Sequence, residues 1–157
     1  MSARRILVAL AILAAAPPGL AAAEPGSTTT INGSTPPGVA TRLTDLKVML
    51  DTVDADGNRL LVQQGIRKPG TRAPIHYHDY GGTTCVLSGT ITDFVEGMPS
   101  ATFPAGTCYY MTPDVAMTAV NLGTEDVRLI DTFVLPPGIA TITVLEPGWP
   151  DLSDPTG

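Results

Sequence analysis

Between residues 43 and 145 the chain is a succession of short runs rich in β-branched, aromatic and other apolar residues, each closed within a few positions by a turn signal. The runs span 46–50, 59–66, 73–77, 83–87, 91–95, 101–103, 108–111, 117–120, 127–134 and 139–145. Residues 54–57, Pro69-Gly70, Ser88-Gly89, Ala105-Gly106 and Leu122-Gly123 punctuate them. There is no internal repeat and no convincing amphipathic helix, and 16 glycines and 15 prolines interrupt the chain. That pattern leaves one fold class: all-β, a sandwich or a barrel.

The ends read differently from the middle. Arg4 and Arg5 precede an apolar stretch at 6–16 that is too short to span a bilayer, and Ala21-Ala22-Ala23 suits a small-residue cleavage site. Residues 1–23 are therefore expected to be a secretory signal peptide, which makes the mature chain periplasmic or secreted. Residues 24–40 are rich in turn and linker types and are expected to be a flexible segment; Asn32-Gly33-Ser34 within them matches a glycosylation acceptor, to which no function is assigned. The β-rich domain is expected over 41–146, with an irregular tail at 147–157.

Charge excludes some partners. The formal net charge is −6 in 157 residues, and cleavage would remove Arg4 and Arg5 but no acid. So acidic a chain lacks a basic stripe for nucleic acid and is repelled by anionic lipid, so no nucleic-acid binding and no membrane association after cleavage are expected. There is no Gly-x-Ser-x-Gly elbow and no glycine-rich phosphate loop ending in Lys-Ser/Thr.

His76 and His78 are the only histidines. In an extended run, positions two apart share a face, so the two imidazoles project together and form half of a metal site. The competing reading is a pair of polar residues on the solvent side of a strand. Both histidines belonging to one run also disfavours a Ser-His-Asp triad.

The surroundings of this pair resemble the cupin family. Its first motif, Gly-x5-His-x-His-x3/4-Glu-x6-Gly, falls on Gly70, His76, His78 and Gly89, with Gly82 or Thr83 where the family has glutamate. Its second motif, Gly-x5-Pro-x-Gly-x2-His-x3-Asn, falls on Gly106 and Asn121, with Thr112, Asp114 and Met117 at the Pro, Gly and His positions. The resemblance covers roughly residues 43–136. It implies a jelly-roll β-barrel with one transition-metal ion in its mouth, held here by His76 and His78.

The two departures change the chemistry that the resemblance implies. The glutamate position carries no carboxylate, and a thioether replaces the third imidazole. A His76, His78, Met117 set leans toward copper, with iron, zinc, nickel or manganese remaining open, because soft sulfur favours copper(I). Against this stands a plainer reading of Met117, a flexible core filler lining an apolar cavity beside Ala116 and Ala119. Asp79, Tyr80, Cys85 and Tyr110 are further candidates for a ligand, although the family motif marks none of them.

The resemblance also places Cys85 and Cys108 on neighbouring antiparallel strands. This implies a cross-strand disulfide, suited to an oxidising compartment. The alternative is a blue-copper set of His76, His78, Cys85 and Met117, which needs Cys85 to point inward. Strict alternation from Gly82 instead turns Thr84 and Val86 inward.

Two functions stay in view. One is a metal-dependent cupin enzyme with an oxygenase-type reaction on a small-molecule substrate, its pocket lined by Val86, Met117 and Val120. The other is a non-catalytic cupin that binds a small ligand or copper at a degenerate site. A homodimer is a further expectation, including as a purely structural, oligomer-forming barrel.

Overall fold

The structure is a computed structural model that describes residues 26–149; the expected signal peptide, residues 24–25 and residues 150–157 lie outside them. Among the described residues there are twelve strands and no helix. They are β1 (Val39–Ala40), β2 (Thr44–Val53), β3 (Arg59–Arg67), β4 (Thr71–Arg72), β5 (His76–Tyr77), β6 (Gly82–Ser88), β7 (Thr90–Val95), β8 (Ala101–Pro104), β9 (Cys108–Met111), β10 (Met117–Val120), β11 (Val127–Leu135) and β12 (Thr143–Val144). The chain is all-β, as its punctuation requires.

The strands form two sheets. One runs β2-β3-β11-β6-β9, and the other runs β1-β4-β10-β5-β12 with β7 joined to β10 and β8 to β7. Strand β11 shows why the sheets face each other: Val127, Leu129, Phe133 and Leu135 are buried, while Arg128 and Val134 between them are exposed. Burying each such apolar side chain contributes roughly 1.5–3 kcal/mol, so this row fixes which face turns inward. Leu61, Val86, Ile91, Tyr109, Met111 and Met117 complete the core from both sheets.

Two of the expected runs break up. Residues 73–77 are not one strand: β4 ends at Arg72 and β5 begins at His76, with Pro74, which has no N–H to give a ladder, between them. His78 lies just beyond β5. The run at 139–145 shortens to β12, which pairs Val144 with His76 and Thr143 with Tyr77.

Residues 31 and 32 are anchored. Ile31 is buried, and the Asn32 side chain donates to the carbonyls of Val95 and Met98 and accepts from the Gly97 N–H. At the opposite extreme, β2 is exposed along its whole length, with Leu46, Val48, Met49, Leu50 and Val53 all open to solvent.

Candidate metal centre

The His-x-His segment is held from three directions. Leu145 N–H donates to Ile75 O, while the Glu146 carboxylate accepts from Ile75 N–H at 2.9 Å and from the buried Arg72 guanidinium, Nη2 to Oε1, at 2.7 Å. Asp114 N–H donates to His78 O at 3.0 Å, tying the second-motif turn to the first. Asp114 adopts a φ of 58°, the left-handed conformation that the family's glycine supplies and that aspartate tolerates.

Both imidazoles are oriented by the main chain. His76 Nδ1 lies 2.7 Å from Pro74 O, and His78 Nδ1 lies 2.6 Å from Thr141 O. A carbonyl only accepts, so each Nδ1 carries the proton and each Nε2 is left with a bare lone pair. Those two Nε2 atoms stand 3.2 Å apart. Burial, with the neighbouring His78 adding to it, pushes His76 down to about 3, and burial also lowers His78, so neither ring is cationic at neutral pH.

Two converging lone pairs without a proton between them repel each other unless something electropositive bridges them. Two nitrogens at about 2.0–2.1 Å from one ion stand about 3.3 Å apart in tetrahedral coordination, so the observed separation suits a shared metal. Histidine ligands fixed through Nδ1–H to carbonyls are also the usual arrangement around protein metals. The fit extends to two ligands: among the described residues, no group of three or more His, Cys, Asp or Glu side chains gathers at one point.

The glutamate position explains part of that. Gly82 lies opposite Met111, and a Cβ built on it would come within 2.7 Å of Met111 Cε and of the Phe133 ring. The Phe133 ring in turn packs against His78, centroids 5.5 Å apart. A thioether and an aromatic ring therefore fill the place of the carboxylate. Met117 pairs with His76 across β10 and β5 and is buried in the apolar core.

Cys85 lies opposite Cys108, and the two are joined in a disulfide. This corrects the blue-copper alternative, because a disulfide sulfur offers no thiolate. Alternation explains it: Thr84 and Val86 turn inward and are buried, leaving Cys85 on the other face. Asp79 accepts from the Thr143 hydroxyl at 3.1 Å, while Tyr80 and Tyr110 are exposed.

The histidines open on a cavity of about 410 Å³ between the sheets. Its lining corrects one expectation, since Val86, Met117 and Val120 are buried elsewhere and do not reach it. Met111, Leu129 and Phe133 supply apolar surface instead, and Thr84, Arg67 and Asp131 supply polar surface. Alternation from Gly82 already turns Thr84 inward, whereas Arg67 and Asp131 lie outside both motifs. Asp131 did leave a signal, as the one carboxylate in the inward row of β11.

No protein-family model matches the chain, and no curated protein matches it. Solved structures do. A Klebsiella pneumoniae protein with a double-stranded beta-helix domain superposes with a TM-score of 0.53 at 24% identity, covering 69% of this chain and 90% of that one. A cupin-like protein of Thermotoga maritima gives 0.55 at 20% identity, covering 64% and 74%. The DMSP lyase DddQ of Ruegeria pomeroyi gives 0.54 at 12% identity, covering 69% and 54%. The architecture is thus the double-stranded β-helix, and the fold is that of the cupin superfamily.

Proposed function

We propose that the chain is an exported single-domain cupin that binds one transition-metal ion through His76 and His78 and presents it to a small molecule, with an oxygenase-type reaction as its activity. One observation carries the reading: two neutral imidazoles, each locked through Nδ1–H, aim bare Nε2 lone pairs at one point beside a cavity. A transition metal held there supplies Lewis acidity and, for copper or iron, redox chemistry. The chain's own part is to hold both rings, keep them unprotonated and bury them from bulk water. Copper is the favoured ion, since the thioether of Met111 lines the same cavity as both imidazoles, and Met117 stands opposite His76 in the β10–β5 register.

The lack, among the described residues, of a third His, Cys, Asp or Glu side chain beside the two imidazoles favours a second reading, a non-catalytic cupin that binds copper or a small ligand at this degenerate site. Elemental analysis of the chain purified from metal-supplemented culture tests the first reading. About one equivalent of a transition metal, lost in His76→Ala and His78→Ala, supports it; a metal-free protein contradicts it.

Export draws support from the 1–23 pattern and from the Cys85–Cys108 disulfide, which persists in oxidising compartments. A homodimer draws support from β2, an edge strand exposed on both faces. Antiparallel pairing of two copies about Met49 would set Lys47 of one copy against Asp51 of the other. Sedimentation of the wild type and Met49→Lys tests this: a dimer that the variant dissolves supports the pairing, and a monomeric wild type at high concentration refutes it.

A further inference from the structure

The charged groups lining the cavity are few and unlike the chain as a whole. In a protein with a formal net charge of −6, the lining carries Arg42 and Arg67 against the single carboxylate of Asp131. Arg67 sits at the end of β3 with only 5% of its surface exposed. Its guanidinium is tethered through Nη1 to Thr41 O at 2.7 Å and Arg72 O at 3.0 Å, and its Nε has no partner among the described residues.

What this buried cation lacks is a counter-ion in contact. No described carboxylate forms an ion pair with Arg67 within 4.0 Å. Asp131 lies near enough to act on it through space, yet its carboxylate accepts from the Thr84 hydroxyl at 2.7 Å and from Gln63 instead. Registers on β3 and β11 explain the gap: Arg67 is opposite Val127 and Asp131 is opposite Gln63, with the Gly65–Leu129 pair between them. A buried charge without a contacting partner is costly, and an arriving anion would relieve that cost.

We propose that the cavity takes a small amphipathic monocarboxylate, its carboxylate on Arg67 and its apolar body against Leu129, Met111 and Phe133. The volume, about 410 Å³, lies in the range of small-ligand sites. Arg67 and Asp131 belong to one sheet, whereas His76 belongs to the other, so a ligand anchored on Arg67 lies between the sheets with the imidazoles beside it. This names the ligand class for the site already described. It rests on reading the cavity as a ligand site and does not depend on the metal.

The test is calorimetric titration of the full chain, dialysed against EDTA, with hexanoate and with its neutral isostere hexanamide at constant ionic strength. The expected result is saturable hexanoate binding at least about tenfold tighter than hexanamide binding, the preference an ion-paired carboxylate confers. Arg67→Met should abolish the preference and Arg67→Lys should keep part of it, while Asp131→Asn should tighten hexanoate binding by removing the competing acid. Equal affinity for the two probes, or no saturable binding of either, overturns the inference. The wild-type comparison stands even if Arg67 variants fail to fold. Hexanoate binding without metal uptake would contradict only the metal reading, and metal uptake without a hexanoate preference would contradict only this one.

Discussion

Gly82 and Met111 stand directly opposite each other on β6 and β9, so closely that a Cβ on Gly82 would lie 2.7 Å from Met111 Cε. Packing therefore leaves no room here for the carboxylate that the cupin pattern would place. Restoring it by Gly82→Glu should destabilise the protein by about 1–3 kcal/mol, the usual cost of overpacking a core. Met111→Ala in the same chain should recover part of that loss. Urea midpoints of the two variants check this; an unchanged midpoint in Gly82→Glu would show that the site has room.

The disulfide joins positions 23 residues apart in sequence. Closing a loop of that size restricts the unfolded chain, so Cys85→Ala/Cys108→Ala should lower stability by about 3 kcal/mol. Metal binding should survive, because Cys85 is committed to the disulfide on the face away from Thr84 and Val86. Denaturant unfolding and metal content, measured on the same preparation, check both halves. Loss of metal in the double variant would return Cys85 to the ligand set.

Asp93 on β7 is a buried carboxyl pushed up to about 7, chiefly by burial. Its folded-state affinity for the proton exceeds the unfolded one, so the folded chain binds protons more tightly between about pH 4 and 7, and stability falls as pH rises across that window. Asp93→Asn should remove this fall and gain on the order of 1–4 kcal/mol at pH 8, with little difference at pH 4. Urea unfolding at pH 4, 6 and 8 gives the comparison. A difference that does not change with pH would contradict the assignment.

Much of this architecture was legible in the residues. The runs at 108–111 and 117–120 became β9 and β10 without a shift, because each pairs alternating apolar residues with a flanking turn. The stretch from 73 to 77 misled, since Pro74 interrupts a ladder that its apolar neighbours suggest. The His76–His78 face was legible from period-two alternation. The cavity wall opposite was not, because Arg67 and Asp131 come from strands far apart in sequence, and only their pairing brings both to the inward face. Val86, Met117 and Val120 were expected in the cavity wall and proved to be core, since alternation sets the face of a residue and leaves its depth open.

We propose that the paired Nε2 atoms of His76 and His78 form a metal site. The most direct measurement is competitive titration of the EDTA-dialysed chain with copper(I) and zinc(II), set beside His76→Ala and His78→Ala. One equivalent bound by the wild type, with each variant weakened at least about 100-fold, is the expected result. Equal affinity in wild type and both variants would contradict it.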